Sequence, residues 1–339
     1  MVAISEEPLP APSAAETALG AVDGPTVPSR DVARIQDHLD GLRFSPLIST
    51  LLSTFRKKDF VPDVRYLSGE DQSAAVSDDE RWVSRHSMSE GAIKASNWLL
   101  QRFRLYGFVC EQHTFLPGFA PMVECQLPGT GDQDGKEANE TVIIGAHFDS
   151  RGSFGYPTAP GADDDGSGTS LLLALARHIY EHRLTFSRKV VLAAFAGEEQ
   201  GLLGSKFYAQ KLRKEKEDVV LMIQVDMIGY RRGGEPLQLA RPDLIGLPEA
   251  AFLVGNVSEI YVPQLQVGYT PACCSDHSSF VDNHYAATWV FERNGAIADP
   301  CYHNSCDLSK RPNYSFEQIH ATSSVVLATL LEVAGFAFV

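Results

Sequence analysis

Five residues of the kinds that bind divalent zinc stand in separate polar stretches of the chain: His147, Asp164, Glu199, Asp226 and His303. Two imidazoles and three carboxylates suit two zinc ions that share a bridging carboxylate, since both ligand types favour zinc and the carboxylates offset its charge. Beside Glu199 stands Glu198. Adjacent glutamates allow a division of labour in which one binds metal and the other takes a proton from an activated water.

Each stretch alone has a plainer reading. Val142-Ile-Ile-Gly-Ala-His147-Phe-Asp149 ends an apolar run with a His and an Asp two apart. Residues i and i+2 of a strand share a face, so Asp149 could accept the other ring N–H of His147 and fix its tautomer. A surface His beside a solvated Asp fits the same letters. Pro160-Gly-Ala-Asp163-Asp164-Asp165-Gly-Ser-Gly168 crowds like charges that a cation would relieve, yet it also describes an acidic helix cap. Glu198-Glu199 alone is more simply a glutamate pair at a helix start, and Asp226 and His303 are weak signals singly. Their meaning comes from being read together.

The surrounding pattern places these residues where strands end. Apolar runs at Thr141–Ala146, Lys189–Phe195, Val219–Val225 and Ala287–Phe291 alternate with helical spacing at Ser170–Tyr180, Leu202–Leu212 and Pro248–Ile260. Strands apolar on both faces, alternating with helices, indicate a parallel or mixed α/β sheet covered by helices. The carboxyl ends of such strands are the usual ligand sites. Earlier, Phe108–Phe115 and Met122–Leu127 read as strands. Asp31–Arg43 and Pro46–Arg56 carry helical spacing, as does the stretch from Ser89, an N-cap residue, to Gly107; Ser315–Val333 reads as a closing helix.

With 339 residues and 44% hydrophobic content, the chain can bury one large core, and a single catalytic domain over 29–339 is expected behind a flexible leader at 1–28. That opening stretch lacks the basic and continuous apolar parts of a secretory signal. No run approaches the ~20 apolar residues needed to span a bilayer. The formal net charge of −14 argues against nucleic acid, whose phosphates it would repel. Six cysteines permit up to three disulfides, and the sequons at Asn139, Asn256 and Asn313 could accept glycans. The pairing of the cysteines stays open, as does a separate Cys-rich zinc site. His178 and His182, four apart near a helix end, read as exposed. Neither an H-E-x-x-H nor a G-x-S-x-G motif occurs.

The segments GAHFDS, PGADDDGSG, AFAGEEQGLLGS, QVDMIGY, CSDHSSF and YHNSCD, in that order, resemble the co-catalytic two-zinc aminopeptidases, the group of secreted bacterial and fungal leucine aminopeptidases. The likeness runs from near Arg85 to Val339. It implies a phosphorylase/hydrolase-like α/β fold, a three-layer sandwich with a mixed central sheet flanked by helices. It further implies two Zn2+ ions bridged by Asp164, with His147 and Asp226 completing one ion and Glu199 and His303 the other. Glu198 would be the general base, and Asp149 and Asp276 would support; Asp163 and Asp165 are not carried over as ligands. Peptides with a free N-terminus are the implied substrates, a monomer the expected state, and an extracellular setting the one that family, sequons and cysteines suggest.

By the same resemblance Met227, Cys274, Trp289, Phe291 and Tyr302 fall near the pocket for the first side chain, which would favour a bulky apolar residue; each is otherwise an ordinary core residue. The family's loop before Ser-Asp-His often carries two cysteines four apart around a Tyr that stabilises the tetrahedral intermediate. Here those positions hold Thr270, Ala272 and Cys274, leaving Tyr269 or Tyr302 as replacements. Alternatives on the same scaffold are a carboxypeptidase, a one-zinc glutaminyl cyclase, and a receptor-like protein without catalysis.

Overall fold

The computed structural model describes residues 26–131, 135 and 137–339. Most of the expected leader thus lies outside the described residues. Its last part is fixed rather than free: Val27 packs on the core, and the Thr26 carbonyl accepts a hydrogen bond from His284 Nδ1 at 3.0 Å.

The helices and strands run in the order α1 (Ser29–Gly41), α2 (Pro46–Thr54), α3 (Phe60–Leu67), α4 (Glu90–Leu105), β1 (Val109–His113), β2 (Met122–Leu127), β3 (Glu140–His147) and α5 (Gly166–Glu181). Then follow β4 (Leu184–Phe186), β5 (Lys189–Phe195), α6 (Leu203–Glu215), β6 (Asp218–Val225), β7 (Gln238–Pro242), α7 (Pro248–Tyr261) and β8 (Gln266–Thr270). The chain closes with α8 (His277–Asp282), β9 (Ala287–Val290), α9 (Phe316–Ala334) and β10 (Phe336–Phe338). Helix α4 begins where Ser89 Oγ accepts the Ala92 N–H at 3.1 Å. It stops at Gly107, whose φ of +82° suits a residue without Cβ just past a helix end.

The main sheet has the order β1-β2-β5-β3-β6-β9. Strands β5, β3, β6 and β9 are parallel, and the β1–β2 hairpin joins antiparallel along β5. Alternate residues of β3 enter two cores. Val142 and Ile144 join a large cluster with side chains of α5, α7 and α9, while Ile143 joins a smaller one with Tyr208 of α6 and Phe280 of α8. Both faces of the sheet are therefore covered, which makes the three-layer mixed α/β arrangement. The chain leaves β3 through α5 to reach β5 on one side, then crosses through α6 to β6 on the other, so a crevice opens above the carboxyl ends of β5, β3 and β6.

Several elements escape the sequence patterns. Helix α3 contains Pro62, which reads as a breaker but sits in the first turn, where no N–H is needed. The two-stranded pairs β4–β10 and β7–β8 are short, and six-residue α8 has no room for a period. The run at Phe108–Phe115 shortens to β1. Among the described residues no helix is long and apolar enough to cross a membrane.

His178 corrects the expectation of exposure. It is 3% exposed, packs against Phe55 with ring centroids 5.2 Å apart, and its Nε2 has no hydrogen-bond partner. Burial, with His182 beside it, pushes its pKa down to about 4. A His held below its unfolded value of roughly 6.5 contributes stability that is intact above that pH and is lost as pH falls towards the folded value. Chemical denaturation over a pH series should therefore show wild type losing more stability between pH 6.5 and 4 than His178→Phe, by on the order of 1–3 kcal/mol. Parallel curves would show that His178 is not the titrating group.

Candidate metal centre

The crevice gathers the polar stretches because each follows a strand or enters a helix there. His147 is the last residue of β3, and Asp226 follows β6. Glu198 and Glu199 follow β5 through Gly197, whose φ of +74° turns the chain. Asp164 stands before α5, and His303 lies in the loop closed by the Cys301–Cys306 disulfide.

His147 Nε2 lies 3.3 Å from Asp164 Oδ1 and 3.5 Å from Asp226 Oδ1. His303 Nε2 lies 3.4 Å from Asp164 Oδ2 and 3.1 Å from Glu199 Oε2. Each carboxylate oxygen of Asp164 thus faces a different imidazole. Two metal-competent groups result, His147–Asp164–Asp226 and Asp164–Glu199–His303, with donor atoms in each lying within 4.8 Å of one another. Such separations suit atoms that bind one ion together.

The electrostatics also fit cations. Burial, and then the charge of Glu199, push Asp164 up to about 6. Burial pushes Glu199 up to about 7, and its Oε1 is buried without a hydrogen-bond partner. Burial likewise moves Glu198 well above the ordinary glutamate range; His147 opposes the shift, while Asp226 and Asp276 add to it. Carboxylates crowded out of water in this way are relieved by divalent charge.

The neighbouring side chains fix the ligands. His147 Nδ1 is 3.1 Å from the main-chain oxygen of Asp149 and 3.5 Å from its carboxylate, which leaves Nε2 for Asp164 and Asp226. β3 ends at His147, and the chain runs on beside β5 through Phe148, whose N–H donates to the Phe195 main-chain oxygen at 2.9 Å, before Asp149. The Asp149 carboxylate also accepts Ser87 Oγ at 2.5 Å and the N–H groups of Glu198 and Glu199 at 3.4 and 3.3 Å. Asp276 accepts Gln224 Nε2 at 3.0 Å, and burial pushes it up to about 7.

The three consecutive aspartates divide their work. Asp163 Oδ1 accepts the Gly229 N–H at 2.7 Å. Asp165 Oδ1 accepts Gly168 N–H at 2.8 Å and Met227 N–H at 3.2 Å, and its Oδ2 accepts His147 N–H at 3.2 Å. It thereby ties the end of β3, the residue after Asp226 and the start of α5 together. Gly168 makes this possible, since a Cβ there would stand 2.5 Å from Asp165 Oδ1 and 2.6 Å from the Val225 oxygen. Asp307 accepts the N–H groups of Asp163 and Asp164 at 3.1 and 3.0 Å.

Beside the centre is a small cleft of about 40 Å³ whose lining includes Glu198, Met227, Cys274, Trp289, Phe291 and Tyr302. The expected pocket residues do come together. Met227, Cys274 and His303 have φ of 51°, 65° and 55°, a left-handed region that non-glycine residues uncommonly adopt. Tyr302 stacks on His303 at 3.7 Å, whereas Tyr269 lies over Arg241 at 4.6 Å in a different groove. Of the two replacement phenols, only Tyr302 lines this cleft.

The cysteines pair as 110–125, 273–274 and 301–306, leaving no thiols for a separate zinc site. Sequence reasoning passed over Ser87, Asp307 and Arg151. Arg151 Nε is 2.9 Å from Glu199 Oε2. Only the position of Arg151 two residues after Asp149 hints at a role near the metals.

Comparison with known proteins bears on this geometry. The profile of "Peptidase family M28" matches residues 130–330. Leucine aminopeptidase 1 of Metarhizium robertsii is 28% identical over 269 residues, which is 70% of this chain and 63% of that relative. The crystal structure of Legionella pneumophila LapA aminopeptidase superposes with a TM-score of 0.74 at 22% identity, covering 86% of this chain and 75% of that one. A Bacteroides thetaiotaomicron glutaminyl cyclase shares the fold at a TM-score of 0.63 and 15% identity, covering 81% and 97%. These two structural likenesses establish fold.

The clamp made by Asp165 yields a stability prediction. Asp165→Ala would leave three buried backbone donors without an acceptor and should destabilise the chain by about 3 kcal/mol or more, measured by urea unfolding of the metal-free protein. A change below about 1 kcal/mol would mean that other groups hold the three segments together.

Proposed function

The chain belongs to peptidase family M28, and from that membership we propose a zinc aminopeptidase that removes the N-terminal residue of a peptide, its single catalytic domain spanning 29–339. The carrying observation is Asp164, whose two carboxylate oxygens each serve a separate imidazole-containing donor group. His147, Asp164 and Asp226 would hold one zinc ion, and Asp164, Glu199 and His303 the other. Two ions bound there would supply the Lewis acidity that activates a water and polarises the scissile carbonyl.

The chain's own residues do the rest. Glu198 lines the cleft and makes no metal group with its neighbours, so its carboxylate is free to accept the proton lost by the attacking water. It then passes that proton to the departing amine, which balances the reaction. Burial, which already favours its protonated form, suits a group that must carry a proton between steps. Asp149 keeps the Glu198 and Glu199 main chain in place and sets the His147 tautomer. Asp276 stands behind, held by Gln224.

Met227, Trp289 and Phe291 form a buried apolar cluster with Ala240 beside the carboxylates. An apolar side chain with a free α-amino group fits that pairing, the amine meeting the acidic end and the side chain the apolar wall. Tyr302, which lines the cleft, would be the phenol that donates to the developing oxyanion, a role Ala272 cannot fill. The cyclase alternative needs one zinc, and the complete second group of donors favours hydrolysis.

Glu198→Gln should fold and retain zinc yet lose about 10²–10⁴-fold in kcat on leucyl-p-nitroanilide. Wild-type turnover in that variant would remove Glu198 as the base. N-acetylation of the same substrate should abolish cleavage; efficient hydrolysis of the acetylated compound would contradict exopeptidase action.

A further inference from the structure

The two donor groups are unequal in their surroundings. In the first, the side chains of His147, Asp164 and Asp226 are 1, 6 and 11% exposed, and among the described residues no Lys or Arg pairs with any of these carboxylates. In the second, His303 is 29% exposed, and Arg151 reaches Glu199 from the solvent side, with its own side chain 42% exposed.

Arg151 grips Glu199 at two points. Its Nε meets Oε2 at 2.9 Å, and its terminal NH2 group donates to the Glu199 main-chain oxygen. The oxygen it holds is the one that His303 Nε2 approaches at 3.1 Å. An ion held by His303 and this oxygen would share it with a guanidinium, and one held through the unpartnered Oε1 would still be bound by a carboxylate that a fixed positive charge engages. That charge draws electron density from the ligand and repels the divalent cation. It also gives Glu199 a partner when no ion is present, which lowers the free energy of the empty second position.

We propose that Arg151 is a built-in counter-cation of the Asp164–Glu199–His303 group, which makes the second metal position the weaker and more readily exchanged of the two. The inference rests on the two-zinc reading but concerns only how the second ion is held. Arg151 acts through Glu199 and is a positioning residue. Loss of its charge should tighten the second position and leave the first unchanged.

The test is a zinc titration of the metal-free full chain by calorimetry, with a competing chelator to reach tight binding. Wild type should show two steps separated at least tenfold in Kd. Arg151→Met and Arg151→Gln should tighten the weaker step about tenfold or more without moving the tighter one, while Arg151→Lys should keep the wild-type separation. Two steps in wild type with the weaker one unchanged or weakened in both neutral variants would overturn the role of Arg151 and leave the two-zinc reading standing. Uptake of no zinc by wild type, or of a single ion by wild type and both neutral variants, would overturn the two-zinc reading together with the proposal. A single ion in wild type and two in the neutral variants would support it.

Discussion

Asp164 stands between two imidazoles, and the crevice is built around the need to keep its carboxylate there among other acids. Asp226 and Glu199 lie on either side, and burial with their charge makes the empty arrangement costly. A site of this kind stays in place only if the surrounding polypeptide fixes every ligand more firmly than the ligands repel one another. The fixing is done chiefly by carboxylates that are not themselves metal donors. Asp165 holds the backbone at His147 and Met227, Asp307 holds the backbone at Asp163 and Asp164, and Asp149 holds that of Glu198 and Glu199. Accepting backbone N–H groups stabilises these acids in place, so part of the local acidity is structural.

The sheet supplies the common origin for these contacts. Parallel strands β5, β3 and β6 end at one edge, so residues far apart in sequence meet without long loops. Ligands on strand ends inherit the rigidity of a buried sheet, whereas His303 arrives on a loop and needs other restraint. The Cys301–Cys306 disulfide and the hydrogen bonds of Ser153 to Asn304 and Ser305 provide it. The more exposed half of the centre is thus also the half that is tied down from outside the sheet, and there Arg151 joins it.

The inner strands and their helices were legible because apolar runs of five to seven residues alternated with helical spacing; β2 and β5 have the bounds read from sequence. The five candidate donors were picked out by residue type and order, and the pairing of roles came from family resemblance. What remained hidden depends on contacts across the chain. His178 looks like an exposed helix histidine until Phe55, just past α2, packs against it. Pro62 looks like a stop until it proves to be in a first turn. Arg151, Ser87 and Asp307 carry no motif, since their effect lies wholly in which main-chain or carboxylate atoms they reach after folding.

Asp164 is proposed to bridge two divalent ions. Anomalous diffraction from crystals of the zinc-loaded protein, recorded on both sides of the zinc absorption edge, tests it directly. Two peaks roughly 3.5–4 Å apart, one beside each oxygen of Asp164, are expected. A single peak with Asp164 bound through one oxygen, or peaks at residues outside the two donor groups, would contradict it.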